Sequence, residues 1–427
     1  MHRHLLLLLA LILLSATAHA EVRRLTLDAA LALAAEQNYE IKKAQEYRVG
    51  LDGRYIEERA AALPQLTASA WIGLSRDVSQ EAMGGGDRQQ NEGAEVALSQ
   101  PLFTWGKIGA GIRAAKVGMQ SGDQTIRIAR QGAHRDVTVA FVDLLLAGEL
   151  QRLAGENLRQ KERHLQEAER RYASGVATDY DVLAATVDRE NARPVTIRTA
   201  NRVRNAGQRL AYLLALPGEV AADGSLAMTV SEPLSFGDAL ASAVAHRPEL
   251  ADLRLRQQVQ EEIIRIYGAE TKPRLDLRGA AGWGRLELDN ADEDQVSGTV
   301  WNAGIYLTWP FFDGLRTAGK VAQARSDLRG ISISERALVD TIALEVETAR
   351  NGIIDAAAIV AALQGTVGQA ERLLQMAEQG FEYGVKTRLD VDDAQVNLLQ
   401  AQVALAQGER DYRAAEANFV WAMGKAE

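Results

Sequence analysis

Adjacent carboxylates, scattered histidines and a short run of glycines are the residues in this sequence whose types could carry chemistry. Asp392 and Asp393 would suit acid–base work only if both reached one substrate atom. They fall in a helical pattern, where neighbours in sequence point in different directions, so catalysis is not expected. His134, His164 and His246 stand apart without metal-ligand spacing, so no metal site is expected. Gly106, Gly109 and Gly111 lack the strand–turn–helix setting of a phosphate loop and read as a strand-to-helix turn followed by helix packing. The chain therefore reads as a non-enzyme without a cofactor.

A polar stretch that occurs twice is more informative. In Gly384-Val385-Lys386-Thr387-Arg388-Leu389-Asp390, the glycine interrupts a helix, Thr387 can cap the next one, and Asp390 falls in its first turn, where a carboxylate suits the helix dipole. Beyond it, Val391, Ala394, Leu398, Ala401, Leu405, Gly408, Tyr412, Ala415, Phe419 and Ala422 recur at alternating steps of three and four, a heptad seam. This is the tip of an antiparallel helical hairpin. The same tip occurs earlier, as Gly175-Val176-Ala177-Thr178-Asp179-Tyr180-Asp181. The two glycines are 384 − 175 = 209 positions apart.

That offset organises the chain. Leu25-Thr26-Leu27 matches Leu234-Ser235-Phe236, Pro64 matches Pro273, and Pro101-Leu102-Phe103 matches Pro310-Phe311-Phe312, each pair 209 apart. The expectation is an internal duplication: repeat 1 at 21–216, a Gly- and Pro-containing linker at 217–233, and repeat 2 at 234–427. Each repeat opens with one helix, at about 26–62 and 235–270. Then the hydrophobic period drops to two, predicting strands at 65–76, 93–103, 274–288 and 298–310. Leu66, Ile72 and Leu74 lie on one side, Thr67, Ser69 and Ser75 on the other. Loops bearing Gly84-Gly85-Gly86 and Asp289, Asp292, Glu293 and Asp294 separate the strands. A helix near seventy residues follows in each repeat, roughly 100 Å long at 1.5 Å per residue. Then come the tips, at 174–179 and 383–388, and a last helix about half as long.

The alternating strands could face a soluble core or a lipid bilayer. Their length, and Trp71, Trp105, Trp283, Trp301 and Trp309 in or beside them, favour an outer-membrane barrel. Four strands cannot close a barrel, so several chains must pool them; three would supply twelve. The N-terminus agrees: Arg3, an apolar run from Leu5 to Leu14 and Ala18-His19-Ala20 read as a secretory signal peptide over residues 1–20. The chain has no cysteine, hence no disulfide and no lipid-attachment thiol, and no later apolar run is long and uninterrupted enough for a membrane helix. A net charge of −9 argues against nucleic acid as a partner.

The opening Leu-Thr-Leu-Asp-Ala-Ala-Leu-Ala-Leu-Ala at Leu25, the Pro-Leu-Phe-Thr-Trp-Gly-Lys turn at Pro101 and both tips resemble the TolC family of outer-membrane efflux proteins. The resemblance runs from about Leu25 to Gly424. It implies an α+β membrane protein: a homotrimer whose twelve-stranded β-barrel, four strands per chain, sits in outer-membrane lipid and is continued by a long periplasmic α-helical barrel. It implies an exit duct for efflux or type I secretion, opened by a periplasmic adaptor and an inner-membrane transporter in a Gram-negative bacterium. The family pattern Gly-x-x-Thr-x-x-Asp-x-x-Asp falls on Gly384, Thr387, Asp390 and Asp393, implying that Asp390 and Asp393 form acidic rings at the entrance. Lys386 stands where the family's founding member has an arginine, and Asp181 is placed as its acidic partner on the other tip; lysine gives a point charge rather than a fork. The adaptor would grip the tips at Gly175, Val176, Thr178, Gly384, Val385 and Thr387. The competing reading is a secreted or periplasmic coiled-coil structural protein without a barrel.

Overall fold

The computed structural model describes residues 23–76, 88–227, 229–288 and 295–426. The expected signal peptide, the triple-glycine loop and the acidic loop at 289–294 lie outside them. The chain divides into two compact units. Unit 1 comprises Met1–Gln45, Thr125–Pro248 and Leu338–Glu427; unit 2 comprises Glu46–Gln124 and Glu249–Ala337. Each unit thus draws on both halves of the sequence instead of following the two repeats.

Eight helices account for most of the described residues: α1 (Leu27–Gln37), α2 (Tyr39–Ala60), α3 (Lys107–Ala173), α4 (Asp179–Leu213), α5 (Phe236–His246), α6 (Pro248–Gly268), α7 (Arg316–Glu382) and α8 (Arg388–Ala422). The offset recurs in them: α7 begins 316 − 107 = 209 residues after α3, and α8 begins 388 − 179 = 209 after α4. The opening helix of each repeat is not continuous, contrary to the sequence expectation. Asn38 leaves the helical region, at φ −56° and ψ 132°, between α1 and α2. Its carboxamide accepts from the Glu40 N–H at 2.9 Å, capping α2, and donates to the Leu213 carbonyl at 2.8 Å. Arg247 breaks the second helix at the equivalent place, with ψ 116°, because Pro248 follows it and disfavours helical geometry there.

In unit 1, Ala30, Ala34, Val137, Phe141, Leu144, Leu210, Leu214 and Val220 form the main apolar cluster. Short strands β1 (Arg23–Leu25) and β4 (Val220–Ala222) pair in parallel beside it. Residues expected to form only a linker are therefore held: Val220 in β4, Leu226 against Val142 and Ala406, and Ser231, whose N–H donates to the Tyr412 hydroxyl at 3.1 Å.

Unit 2 holds a four-stranded sheet of β2 (Gln65–Arg76), β3 (Arg88–Phe103), β5 (Arg274–Leu288) and β6 (Gln295–Thr308), in that order and antiparallel throughout. β3 starts five residues earlier than expected. β6 stops at Thr308, two residues short of the expected end and ahead of Pro310, which has no N–H to donate. The register puts Leu66 beside Leu98, Ala281 beside Trp301 and Leu277 beside Ile305, so the apolar residues share one face. That face is bare: Leu66, Ile72, Leu74, Val96, Trp301, Ile305 and Leu307 are all more than half exposed. Both sheet edges, on β2 and β6, are unpaired among the described residues.

At the strand-to-helix turns, Trp105 and Gly106 have φ of 51° and 80°, and Gly314 and Leu315 have φ of 66° and 67°. The same left-handed pair therefore recurs at the same offset, with the glycine first in one turn and second in the other. Among the described helices, α7 alone contains a window apolar enough to suit a bilayer. The 67-residue helix that holds this window also bears Glu347, Asp355 and Glu371.

Gly207 of α4 marks where the helix meets β4: a Cβ there would lie 2.7 Å from the Val220 carbonyl oxygen, a backbone atom that cannot swing away. Gly207→Val is expected to destabilise unit 1 by about 1–3 kcal/mol through overpacking. Thermal unfolding followed by circular dichroism would register this as a lowered Tm.

Candidate functional site

The two tips are built by the same local chemistry. At the end of α3, Gly175 adopts φ +77°; the Val176 N–H donates to the Arg171 carbonyl at 2.9 Å and the Gly175 N–H to Tyr172 at 2.9 Å, which closes the helix as a Schellman motif. At the end of α7, Gly384 adopts φ +73°, and the Val385 N–H donates to Gly380 at 2.8 Å. Each following helix opens with a capping box. The Thr178 N–H donates to Asp181 at 2.7 Å and the Asp181 N–H to the Thr178 hydroxyl at 3.3 Å; Thr387 and Asp390 repeat this at 2.8 and 3.3 Å. The turns are thus stiffened while Val176, Tyr180, Tyr383, Val385 and Leu389 project outward, each more than half exposed.

The expected gate residues divide into two kinds. Asp181 and Asp390 are capping carboxylates, and the donors at Thr178 and Thr387 hold each below the usual aspartate range. Lys386 turns to its own tip, with Nζ 3.3 Å from Asp390 Oδ1; within the chain it is not paired with Asp181. Its stem lies over Gly380, where a Cβ would come within 2.5 Å of Lys386 Cγ. Asp393 is exposed and takes no part in a cap. Gly175, Val176, Thr178, Gly384, Val385 and Thr387 all fall on the two turns as expected.

Asp392 is half-buried in a cleft of about 260 Å³ between the two hairpins. Its carboxylate faces Lys161 at 3.7 Å, His164 at 3.6 Å and Arg388 at 3.5 Å, and Lys161 also bonds Asp188 at 3.1 Å. Burial pushes the His164 imidazole down to about 4, with Arg388 adding to the effect; the opposing pull of Asp392 is smaller, so His164 is neutral at pH 7. The signal for this cluster was present in the sequence. Lys161, His164, Ala168 and Arg171 step by three and four, the spacing of one helix face, beside Leu158, Leu165 and Tyr172, which fall seven apart. No group of metal-binding residues occurs among the described residues.

A family model described as Outer membrane efflux protein matches this chain twice, over residues 30–216 and 239–425. Both boundaries repeat the spacing, since 239 − 30 = 209 and 425 − 216 = 209. The alkaline protease secretion protein AprF of Pseudomonas aeruginosa is 26% identical over 397 residues, covering 91% of this chain and 82% of AprF. The cobalt-zinc-cadmium resistance protein CzcC of Cupriavidus metallidurans is 25% identical over 388 residues, covering 89% of this chain and 85% of CzcC. Among solved structures, the CmeC outer membrane channel of Campylobacter jejuni superposes with a TM-score of 0.79 at 17% identity, covering 94% of this chain and 86% of that one.

Because His164 binds its proton less readily folded than unfolded, acid favours the unfolded tip. The stability His164 contributes is complete above its ordinary value near 6.5 and is lost as pH falls toward 4. The capping carboxylates act lower: their contribution holds above 3.8 and fades beneath it. Amide protection factors over 158–190 and 380–395, taken relative to intrinsic exchange at each pH, are therefore expected to fall between pH 6.5 and 4.5, and His164→Gln to abolish that step. Thr387→Ala should instead quicken exchange at the start of α8 at every pH.

Proposed function

The chain belongs to the outer membrane efflux protein family, and on that footing we propose that three copies assemble into the passive exit duct of a tripartite efflux or type I secretion system. One observation carries the assembly: a four-stranded sheet with an exposed apolar face and two unpaired edges. In lipid each unpaired backbone group costs several kcal/mol, so a membrane sheet must close on itself, and four strands are too few. Three copies supply twelve, joining β6 of one chain to β2 of the next. The apolar face would then meet lipid and the polar face line the lumen. Two halves that repeat one order of elements at one offset fit an internal duplication. Family membership weighs against the alternative of a coiled-coil structural protein without a barrel.

The tips are the periplasmic entrance in this reading. Val176, Val385 and the exposed tyrosines beside them offer a small apolar grip for an adaptor, with Gly175, Gly384, Thr178 and Thr387 setting the turns that present it. Three copies of Asp390 and Asp393 would ring the opening, and Lys386 would offset the charge beside it. Exposed ion pairs contribute only about 0–1 kcal/mol each, so adaptor contact could outweigh a few of them. Transport energy comes from the inner-membrane partner. Relatives named for protease secretion and for metal resistance align with about nine-tenths of this chain, which suits a duct whose cargo is chosen elsewhere.

Native mass spectrometry of the detergent-extracted protein is expected to give three chains. Cysteine pairs scanned along β2 and β6 should link chains to one another, on a background with no native cysteine; a single-chain particle would end the reading. In planar bilayers, Asp393→Asn is expected to weaken block by multivalent cations severalfold. It is a cleaner probe than Asp390→Ala, which also removes a helix cap. Unchanged block in Asp393→Asn would exclude this carboxylate from the entrance.

A further inference from the structure

Unit 2 contains a second feature that neither the entrance nor the adaptor grip uses. At the foot of the sheet, a cavity of about 790 Å³ opens beside Gln65, Ser99, Arg274 and Thr308. The register aligns Gln65 with Ser99, Ser99 with Arg278, and Arg274 with Thr308, so these belong to the polar face carrying Thr67, Asp276 and Asn302. Five cationic side chains line the cavity, Lys107, Lys272, Arg274, Arg316 and Lys320, against two carboxylates, Glu58 and Glu270.

The pairing inside it is uneven. Glu270 takes Lys320 at 2.8 Å and Lys107 at 3.6 Å, and these ammonium groups hold its carboxyl below the usual range. Arg274 forks onto the fully buried Asp276 at 2.6 and 2.8 Å. Neither Lys272 nor Arg316 forms a salt bridge among the described residues; the Thr317 hydroxyl and N–H, and more weakly the Arg316 charge, hold the nearby Asp313 carboxyl below the usual range, so the cavity keeps two cations outside its ion pairs. Lys107 and Arg316 open α3 and α7 at equivalent positions of the two repeats. Lysine and arginine at a helix start oppose the dipole there, a placement that helix stability alone does not favour.

We propose that this cavity is a coordination station for phosphate- or carboxylate-bearing anions, with Lys272 and Arg316 as its principal ligands. The inference rests on the duct reading, which turns the polar face toward the lumen; three copies would then form a basic collar that a passing anion meets. Arginine offers a planar fork and lysine a mobile point charge, a pairing suited to multivalent oxyanions of varied shape. Free anions and lipid headgroups share this chemistry. The position on the polar face favours the free anion.

The test uses the full-length channel in phosphatidylcholine bilayers, with inorganic tripolyphosphate as the probe. Wild-type current is expected to be blocked, and the Lys272→Gln/Arg316→Gln double variant to need about tenfold more probe, as for the loss of one to two charge-assisted bonds. Its reversal potential in a KCl gradient should also move toward cation preference. Lys43→Gln, an exposed lysine of unit 1, should behave as wild type. Equal block in the double variant and wild type overturns the proposal, as does block that disappears once phosphatidylglycerol occupies the site. Titration calorimetry of tripolyphosphate against the detergent-extracted protein decides the matter if the double variant fails to insert: no heat of binding to wild type overturns it. A wild-type protein that carries no current refutes the duct itself, a failure distinct from a conducting channel indifferent to the probe.

Discussion

Backbone hydrogen bonding at the two sheet edges is the constraint on which the rest depends. β2 and β6 each leave a row of N–H and C=O groups without partners, and beside them lies a face rich in exposed leucine, isoleucine and tryptophan. Water could solvate the edges but not the face. Lipid would accept the face but not the edges. Further strands beneath an apolar surround, as in the proposed assembly, would satisfy both. Long exposed stripes on the helices tell the same story: Leu344, Ile359 and Met376 of α7 stand more than half bare.

The tips solve a different problem. In the proposed duct they would have to be stiff enough to present a surface and weakly enough held to move. Stiffness comes from bonds internal to each turn, the Schellman closure and the capping box, which need no neighbour. Asp181 and Asp390 are spent on those bonds, so their charge is tied to helix integrity. Asp393 carries no such duty. Deeper between the hairpins, Lys161, His164, Arg388 and Asp392 add a polar contact whose strength depends on keeping His164 neutral. Packing of Ala377, Val391 and Ala394 beside Phe381 supplies the apolar part.

The two halves reach the same geometry with different residues. Asn38 breaks one opening helix by hydrogen bonding; Arg247 breaks the other because a proline follows. Arg247 then finds further work, with Glu345 at 2.9 Å and its guanidinium stacked on Trp421, whose ring also takes Arg135. At the strand-to-helix turns the left-handed pair is kept while the glycine changes place. Backbone path is what the halves share, and side chains are free wherever another device produces the same path.

Local patterns made much of this molecule legible in advance. Heptad steps, alternating strands and the glycine–threonine–aspartate order at the tips each act within a few residues, so rods, strands and turns could be read with boundaries good to a few positions. Asn38 could not be read that way, because its amide answers a carbonyl 175 residues distant. Nor could the β1–β4 pairing, which joins residues about 200 apart and turns an apparent linker into structure. The surroundings of Asp392 could not be read from its own stretch: Arg388 is on the same helix, but Lys161 and His164 come from α3. What the amino-acid order determines alone is the period of each element. Which polar groups are buried together is decided only once those elements pack, since burial belongs to the space between them.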